Sequence, residues 1–334
     1  MIGKATIAVL LATYNGEKFL KQQLDSIFSQ TYSDFIIYVS DDMSTDQTIN
    51  ILMFYHKKYP NQFVYSVNKK NIGVVKNFEK LIINCKEDYI ALCDQDDIWL
   101  ENKLEIQLKE LMLLEKKFVN DPCLVHSDLT MVNKDNSMIY QSFFNFRKIN
   151  LPNKKSINKI VSHNGIMGCT VLFNKSLQRK ILPFPEFLDV HDYWIAIVNE
   201  TIGHRITLNE KLVLYRIHDN NTSNSSNKII NKKNNLFKMY FNIDPLPFIG
   251  LKREYVLKYL LVKFNFLEEK DKRIIKEFIC YLENCTNAIS LMYKLVSYNL
   301  IREDLAYRLK IFIKLMQRSI KNKKDICNIQ PQNC

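Results

Sequence analysis

Within its first 130 residues the chain alternates short apolar runs with stretches of helical spacing, and this alternation is what most restricts the fold. Residues 5–12, 35–40, 63–67 and 89–93 are uncharged runs of strand length. Continuous apolar runs of this kind suit strands buried on both faces of a parallel sheet. Between them, residues 17–30 place Phe19, Leu20, Leu24, Ile27 and Phe28 at helical spacing, and further helices are expected near 49–59 and 78–84. Strand–helix alternation builds an α/β fold with a mostly parallel sheet flanked by helices. Such sheets gather their ligands at the carboxyl ends of their strands.

The strand ends carry the chemistry. The run ending at Cys93 passes directly into Asp94-Gln95-Asp96-Asp97, then Trp99. Clustered carboxylates repel one another unless a positive charge sits among them. A divalent cation such as Mg²⁺, held by one or two carboxylates plus substrate phosphates, is the fitting partner. An N-cap would explain Asp96 or Asp97 singly, but three acids exceed what a cap requires. The first run ends at Thr13-Tyr14-Asn15-Gly16, whose backbone amides would either meet a nucleotide or belong to an ordinary connection. The second ends in Asp41-Asp42, where an Asp can accept hydrogen bonds from a base or ribose, or where Ser44 or Thr45 simply caps the next helix. Asn71-Ile72-Gly73 forms a polar turn before the helix near 78–84.

Further along, residues 101–118 read as a structural helix with Leu104, Leu108 and Leu111 on its apolar face. His126 reads as a packed or hydrogen-bonded histidine, with Ser127 and Asp128 as candidate lining of a pocket. The basic stretch 143–160 reads most simply as a solvated loop. Gly165 and Gly168, two of only seven glycines, flank Ile166 and Met167 just before Cys169. A glycine lets backbone approach a ligand closely. Asp192 in His191-Asp192-Tyr193-Trp194 stands near the start of an apolar helix over 194–202. A carboxylate there would stay ionised and could take a proton from a hydroxyl; as an isolated feature it reads rather as an N-cap. In 212–222, Arg216 and His218 alternate with Tyr215 and Ile217 and so share one face of a strand. They are candidates to neutralise an anionic leaving group, against a structural ion pair for Arg216.

The net charge of +12 lies almost wholly in the C-terminal third: residues 1–227 hold 26 Lys and Arg against 25 Asp and Glu, and residues 228–334 hold 21 against 10. Residues 219–235, rich in Asn, Ser and Lys, read as a linker or lid. Amphipathic segments near 251–267, 271–296 and 301–320 follow. Their apolar faces, Leu257, Leu260, Leu261 and Phe264, then Leu305, Leu309, Phe312 and Ile313, suggest a bundle or cover. Their basic residues suggest contact with anionic lipid. The eight cysteines form no CxxC pair or zinc spacing, and the N-terminus carries no signal-peptide pattern. No run approaches a membrane span, so a reducing, cytoplasmic setting, at the inner face of the cell membrane, is expected.

The ordered set Ala12-Thr-Tyr-Asn-Gly16, Ser40-Asp-Asp-Met-Ser-Thr-Asp-Gln-Thr48, Asn71-Ile-Gly73 and Asp94-Gln-Asp-Asp-Ile-Trp99 resembles the nucleotide-sugar half of family 2 glycosyltransferases with the GT-A fold. Within that family the likeness is to bacterial rhamnosyltransferase-type enzymes of surface-polysaccharide synthesis, over about residues 5–225. The resemblance implies that Thr13, Tyr14 and Asn15 line the nucleotide pocket, that Asp42 faces the base, and that Asp94 lies by the ribose and diphosphate. It implies that Asp96 binds Mg²⁺ or Mn²⁺, with His218 approaching the metal or phosphates, and that Asp192 is the base. Asn71, Gly73, Asp97, Trp99, Gly168, Cys169, His191, Trp194 and Arg216 become candidates for the donor and acceptor pocket. Where the family usually has glycine this chain has Met43, a departure that bears on the turn after Asp42 and on base selection.

The expectation is therefore an inverting, metal-dependent transfer of a sugar, such as rhamnose, from a dTDP- or UDP-sugar to a glycan or lipid-linked acceptor. Residues 1–225 would form the catalytic domain, and 226–334 a basic helical region facing acceptor, membrane or another subunit. Two alternatives remain at this level. A nucleotidyltransferase would need a Gly-rich phosphate loop that residues 13–16 do not supply. A basic nucleic-acid-binding protein would need a binding motif among its lysines, so no nucleic acid is expected.

Overall fold

The computed structural model describes residues 5–218, 252–283 and 288–301, with some positions between 305 and 316. The chain divides into two compact units, Met1–Lys155 with Gly165–Asn231, and Ser156–Asn164 with Lys232–Cys334. The proposed linker 219–235 falls outside the described residues.

Strands β1 (Ile7–Thr13), β2 (Phe35–Asp41), β3 (Phe63–Val67) and β4 (Tyr89–Cys93) follow the expected apolar runs closely. Helices α1 (Leu20–Phe28), α2 (Thr48–Lys58) and α3 (Val74–Asn84) connect them. Next come β5 (Ile98–Trp99), α4 (Lys103–Lys117), β6 (Cys123–Asn133), β7 (Met138–Tyr140) and α5 (Phe143–Arg147). Among the described residues these join one nine-stranded sheet in the order β3-β2-β1-β4-β8-β6-β9-β5, with β7 paired to β6. Strands β8 (Val171–Asn174) and β9 (His204–Ile217) complete it. Strands β1 to β4 pair in parallel, and β8 runs antiparallel to both β4 and β6.

Burial explains why the first strands are so plain in sequence. Ile7 to Leu11 have no exposed surface, because β1 lies between two strands and under helices on its faces. Helix α3 packs on β1 and β2, and α4 packs on β6, β8 and β9 through the fully buried Leu104, Leu108 and Leu111. The parallel register sets Thr13 opposite Asp41 and Leu11 opposite Cys93. The strand ends that carry Thr13, Asp41 and Asp94 therefore share one edge. A 3₁₀ turn at Gly168–Thr170 precedes β8, and α7 (Lys175–Ile181) and α8 (His191–Ile202) follow, α8 packing on β9.

In the second unit, α6 (Ile157–His163) packs with α10 (Glu269–Glu283), which also contacts α9 (Arg253–Lys263) and α11 (Ala288–Ser297). Leu257, Leu260, Phe264, Ile275, Phe278 and Leu295 form its interior. The apolar face expected near 301–320 is corrected: Leu305, Leu309 and Ile313 are exposed, and Ile311 and Leu315 are buried instead. Among the described residues no helix is long and apolar enough to cross a membrane.

Candidate active site

The turn after β1 is bound on every side by side chains. Tyr14 N–H donates to Gln95 Oε1 at 2.9 Å, and Gln95 Nε2 donates back to the Tyr14 carbonyl at 3.0 Å. Asn15 N–H donates to Ser44 Oγ, Gly16 N–H to Thr48 Oγ1 and Glu17 N–H to Asp46. Four consecutive amides are thus engaged within the protein, which accords with the ordinary connection rather than the amide–nucleotide contact, the two readings the sequence left open. The Tyr14 ring, half-exposed, is what the turn presents.

Asp41 and Asp42 are both buried and both engaged. Asp41 accepts from Thr13 Oγ1 at 2.8 Å, Ser44 Oγ at 2.6 Å and Ser44 N–H at 2.8 Å. Asp42 accepts from Asn68 Nδ2 and Ile72 N–H at 2.9 Å and from Gly73 N–H at 2.8 Å. Asn71 Nδ2 donates to the Asp42 carbonyl. Asp42 therefore holds the loop containing Asn71 and Gly73 against the end of β2. Between it and Ser44, Met43 has φ 68°, the left-handed conformation that glycine favours, and Gly73 has φ 82°. The turn is reached here without the glycine, at a cost of about 1–2 kcal/mol for a residue with a Cβ.

Beyond β4 the acids converge. Burial, then the charges of Asp96 and Asp192, push the Asp94 carboxyl up to about 7. Asp192 acts within the same group of charges, although 98 positions separate it from Asp94 in sequence. Asp96 Oδ2 lies 2.8 Å from His218 Nε2, both side chains mostly buried, and the Asp96 carbonyl accepts from Arg216 Nε at 2.7 Å. Asp97 is fully buried and accepts from Arg216 N–H at 3.1 Å. Its Oδ2 has no conventional donor; only the weak thiol of Cys169 is set against the carboxyl. Desolvation and the two neighbouring carboxylates hold Asp97 well above the usual carboxylate range. Asp94, Asp97 and Cys169 each offer a ligand atom within 4.8 Å of one another.

Glycine brings the opposite wall close. A Cβ on Gly168 would stand 3.0 Å from His191 Nε2 and 3.7 Å from Asp192 Cβ, so its absence admits the first turn of α8. Helix α8 begins at His191, earlier than the sequence suggests, which places Asp192 inside its first turn. An acid there sits in the positive field of the helix N-terminus. The His191 ring stacks on Phe78 with centroids 4.2 Å apart, and burial pulls it down to about 4, so it is neutral near pH 7.

The structure thus brings together Asp94, Asp96, Asp97, Gly168, Cys169, His191, Asp192, Arg216 and His218, with the Thr13–Asn15 turn joined to them through Gln95. Other predicted residues lie apart. Trp194 is fully buried, its indole donating to the Ile181 carbonyl at 2.7 Å, and Trp99 is buried beneath the Lys103 ammonium, 3.9 Å from its ring centroid. Within the gathered group, the Arg216 guanidinium is buried and committed to the protein, bonding Asp96, Lys134, Asn136 and Gln22 and lying over the Phe19 ring. Asp128 caps α5 through Phe144 N–H and Ser142 Oγ, and His126 is buried against Thr207 Oγ1. Sequence reasoning passed over Gln95 and Lys103. Lys103 is fully buried beside Asp97, Cys93 and Cys169, and burial pulls its ammonium down to about 8. The signal was a lysine on the apolar side of α4, next to Leu104.

Residues 8–179, just over half the chain, match the model of the family described as glycosyl transferase family 2. The dTDP-rhamnosyl transferase RfbG of Shigella flexneri is 30% identical over 235 residues, 63% of this chain and 72% of that protein. The O-antigen biosynthesis glycosyltransferase WbnJ of Escherichia coli is 27% identical over 66% of this chain and 83% of its own length. Among solved structures, residues 1–349 of S. aureus TarS in complex with UDP-GlcNAc superpose with a TM-score of 0.56 at 17% identity, covering 96% of this chain and 92% of that one. The fold is of the GT-A type, a mixed α/β sheet followed by a helical region.

Proposed function

The chain belongs to glycosyl transferase family 2, and on that footing we propose that it is an inverting, cation-dependent glycosyltransferase. Its donor is a dTDP- or UDP-sugar, with rhamnose the first candidate, and its acceptor a hydroxyl of a glycan or lipid-linked glycan in surface-polysaccharide synthesis. The names of RfbG and WbnJ support the donor and the pathway class. The observation that carries the mechanism is geometric: Asp192 Cβ lies 3.7 Å from the Cβ position of Gly168, and the next residue, Cys169, offers its thiol within 4.8 Å of the Asp94 and Asp97 carboxylates.

Asp94 and Asp96, with His218 beside Asp96, would hold Mg²⁺ or Mn²⁺. The chemistry fits, because a carboxyl raised to about 7 by burial and by neighbouring carboxylates is one that a cation would return to its ionised form. Cys169 is unsuited to a hard cation, since burial keeps its thiol protonated. When bound, the cation supplies stabilisation of charge on the diphosphate leaving group. Asp192 takes the proton from the acceptor hydroxyl as the oxygen attacks the anomeric carbon, and displacement from the opposite face inverts its configuration. Tyr14, on the turn secured by Asp41, Ser44 and Gln95, offers its ring to the nucleotide. Asp42 acts by holding the Asn71–Gly73 loop.

The reaction takes place in the cytoplasm, at the inner face of the membrane. The second unit exposes Tyr255, Val262, Phe266, Ile289 and Tyr293 in a region of strong positive charge, which suits an anionic lipid surface. A panel of dTDP- and UDP-sugars assayed for nucleotide release, with and without Mn²⁺, tests the function. One donor should be turned over in a cation-dependent way, and cation-independent turnover would refute the metal role.

A further inference from the structure

Gln95 separates two acids of the proposed cation site, yet its side chain turns to the neighbouring turn. Its amide accepts from Tyr14 N–H at 2.9 Å and donates to the Tyr14 carbonyl at 3.0 Å. A carboxamide has one donor and one acceptor in the geometry needed to close this ring on a single residue's backbone, which an ionised carboxylate lacks. A second, independent feature preserves it. A Cβ on Gly16 would lie 2.3 Å from Gln95 Oε1 and 2.7 Å from its Cδ, so the glycine makes room for this amide. The rest of the turn is fixed to β2 and α2 through Ser44, Asp46 and Thr48, so Gln95 is its link to the acidic strand end.

We propose that Gln95 is a positioning residue that couples the cation site to the nucleotide site, holding the Tyr14 turn in register with Asp94 and Asp96. This rests on the reading of Tyr14 as a nucleotide contact and of the acids as cation ligands. Backbone between Asp94 and Asp96 cannot shift without carrying the Gln95 amide, and with it the presentation of Tyr14. Cation binding thereby tightens nucleotide binding, and the effect is reciprocal.

The test uses the full-length protein and calorimetric titration of UDP and dTDP, each with and without Mn²⁺, and of Mn²⁺ alone. The variants are Gln95→Met, which keeps length but loses both bonds, Gly16→Ala, and the double variant. Wild type should bind one nucleotide more tightly with Mn²⁺. In Gln95→Met, Kd for that nucleotide should rise about tenfold and the enhancement by Mn²⁺ should shrink, as expected for two lost hydrogen bonds. Affinity for Mn²⁺ alone should change less than about threefold. With substrate, KM for the donor should rise more than kcat falls. Gly16→Ala should be harmful alone and milder on the Gln95→Met background, where the side chain it meets is no longer tied to Tyr14 and can turn away. Unchanged nucleotide affinity and unchanged Mn²⁺ enhancement in Gln95→Met would overturn the coupling role alone. Failure of wild type to bind either nucleotide would overturn the underlying reading, and the proposal with it.

Discussion

Met43 and His191 show how single residues carry this site's demands. Met43 holds a left-handed φ of 68° with its side chain half-exposed. Met43→Gly should raise stability by about 0.5–1 kcal/mol in urea unfolding, because it relieves a conformation disfavoured for any residue with a Cβ. His191 is pulled from 6.5 to about 4 by burial. Above pH 6.5 it is neutral folded and unfolded, so it contributes no pH dependence there. Below that, the unfolded chain takes up the proton first, and stability falls as pH drops through about 4. Melting temperatures across that range should fall for wild type and fall less for His191→Gln. Neither property was legible in the sequence, since a φ angle and the burial of one ring depend on partners distant in the chain. Gln95 was overlooked for the same reason: beside two acids it read as a spacer, and its partner lies 81 positions away.

At the scale of elements, legibility followed burial. Strands β1 and β4 are covered on both faces and read as continuous apolar runs, so their ends, and the acids after them, were placed closely. Strand β9 was recognised only from Leu212, though it starts at His204. Its pairing with β6 shifts register between Leu208 and Lys211, and the polar Asn209 and Glu210 at that irregularity read as a break. Helix α8 was expected at Trp194 and begins at His191, with no side-chain cap to announce it. The meeting of α8 with the Gly168 turn sets the distance between Asp192 and the acidic strand end. Gly168→Ala should therefore lower kcat about tenfold or more, since a small misplacement of a catalytic group is enough. Its unfolding midpoint, followed by circular dichroism, should move little by comparison.

For the whole molecule, the uneven charge and the exposed apolar side chains of the second unit lead to a binding prediction. Full-length protein should co-sediment with vesicles containing phosphatidylglycerol at low salt and release from them at high salt. Absence of binding at low salt would remove the membrane role and leave the catalytic reading intact. Family membership and the GT-A architecture were both present in the ordered motifs. What the motifs left undetermined was which acids reach the cleft and which hold loops: Asp41, Asp42 and Asp128 are all engaged by the protein's own donors. The central claim is that Asp192 is the base acting across the cleft from the cation-binding acids. It is tested most directly by the single-turnover rate of Asp192→Asn with donor and acceptor saturating and donor Kd measured alongside. The account predicts a rate lower by about 10²–10⁴ with donor Kd unchanged; transfer at close to the wild-type rate would contradict it.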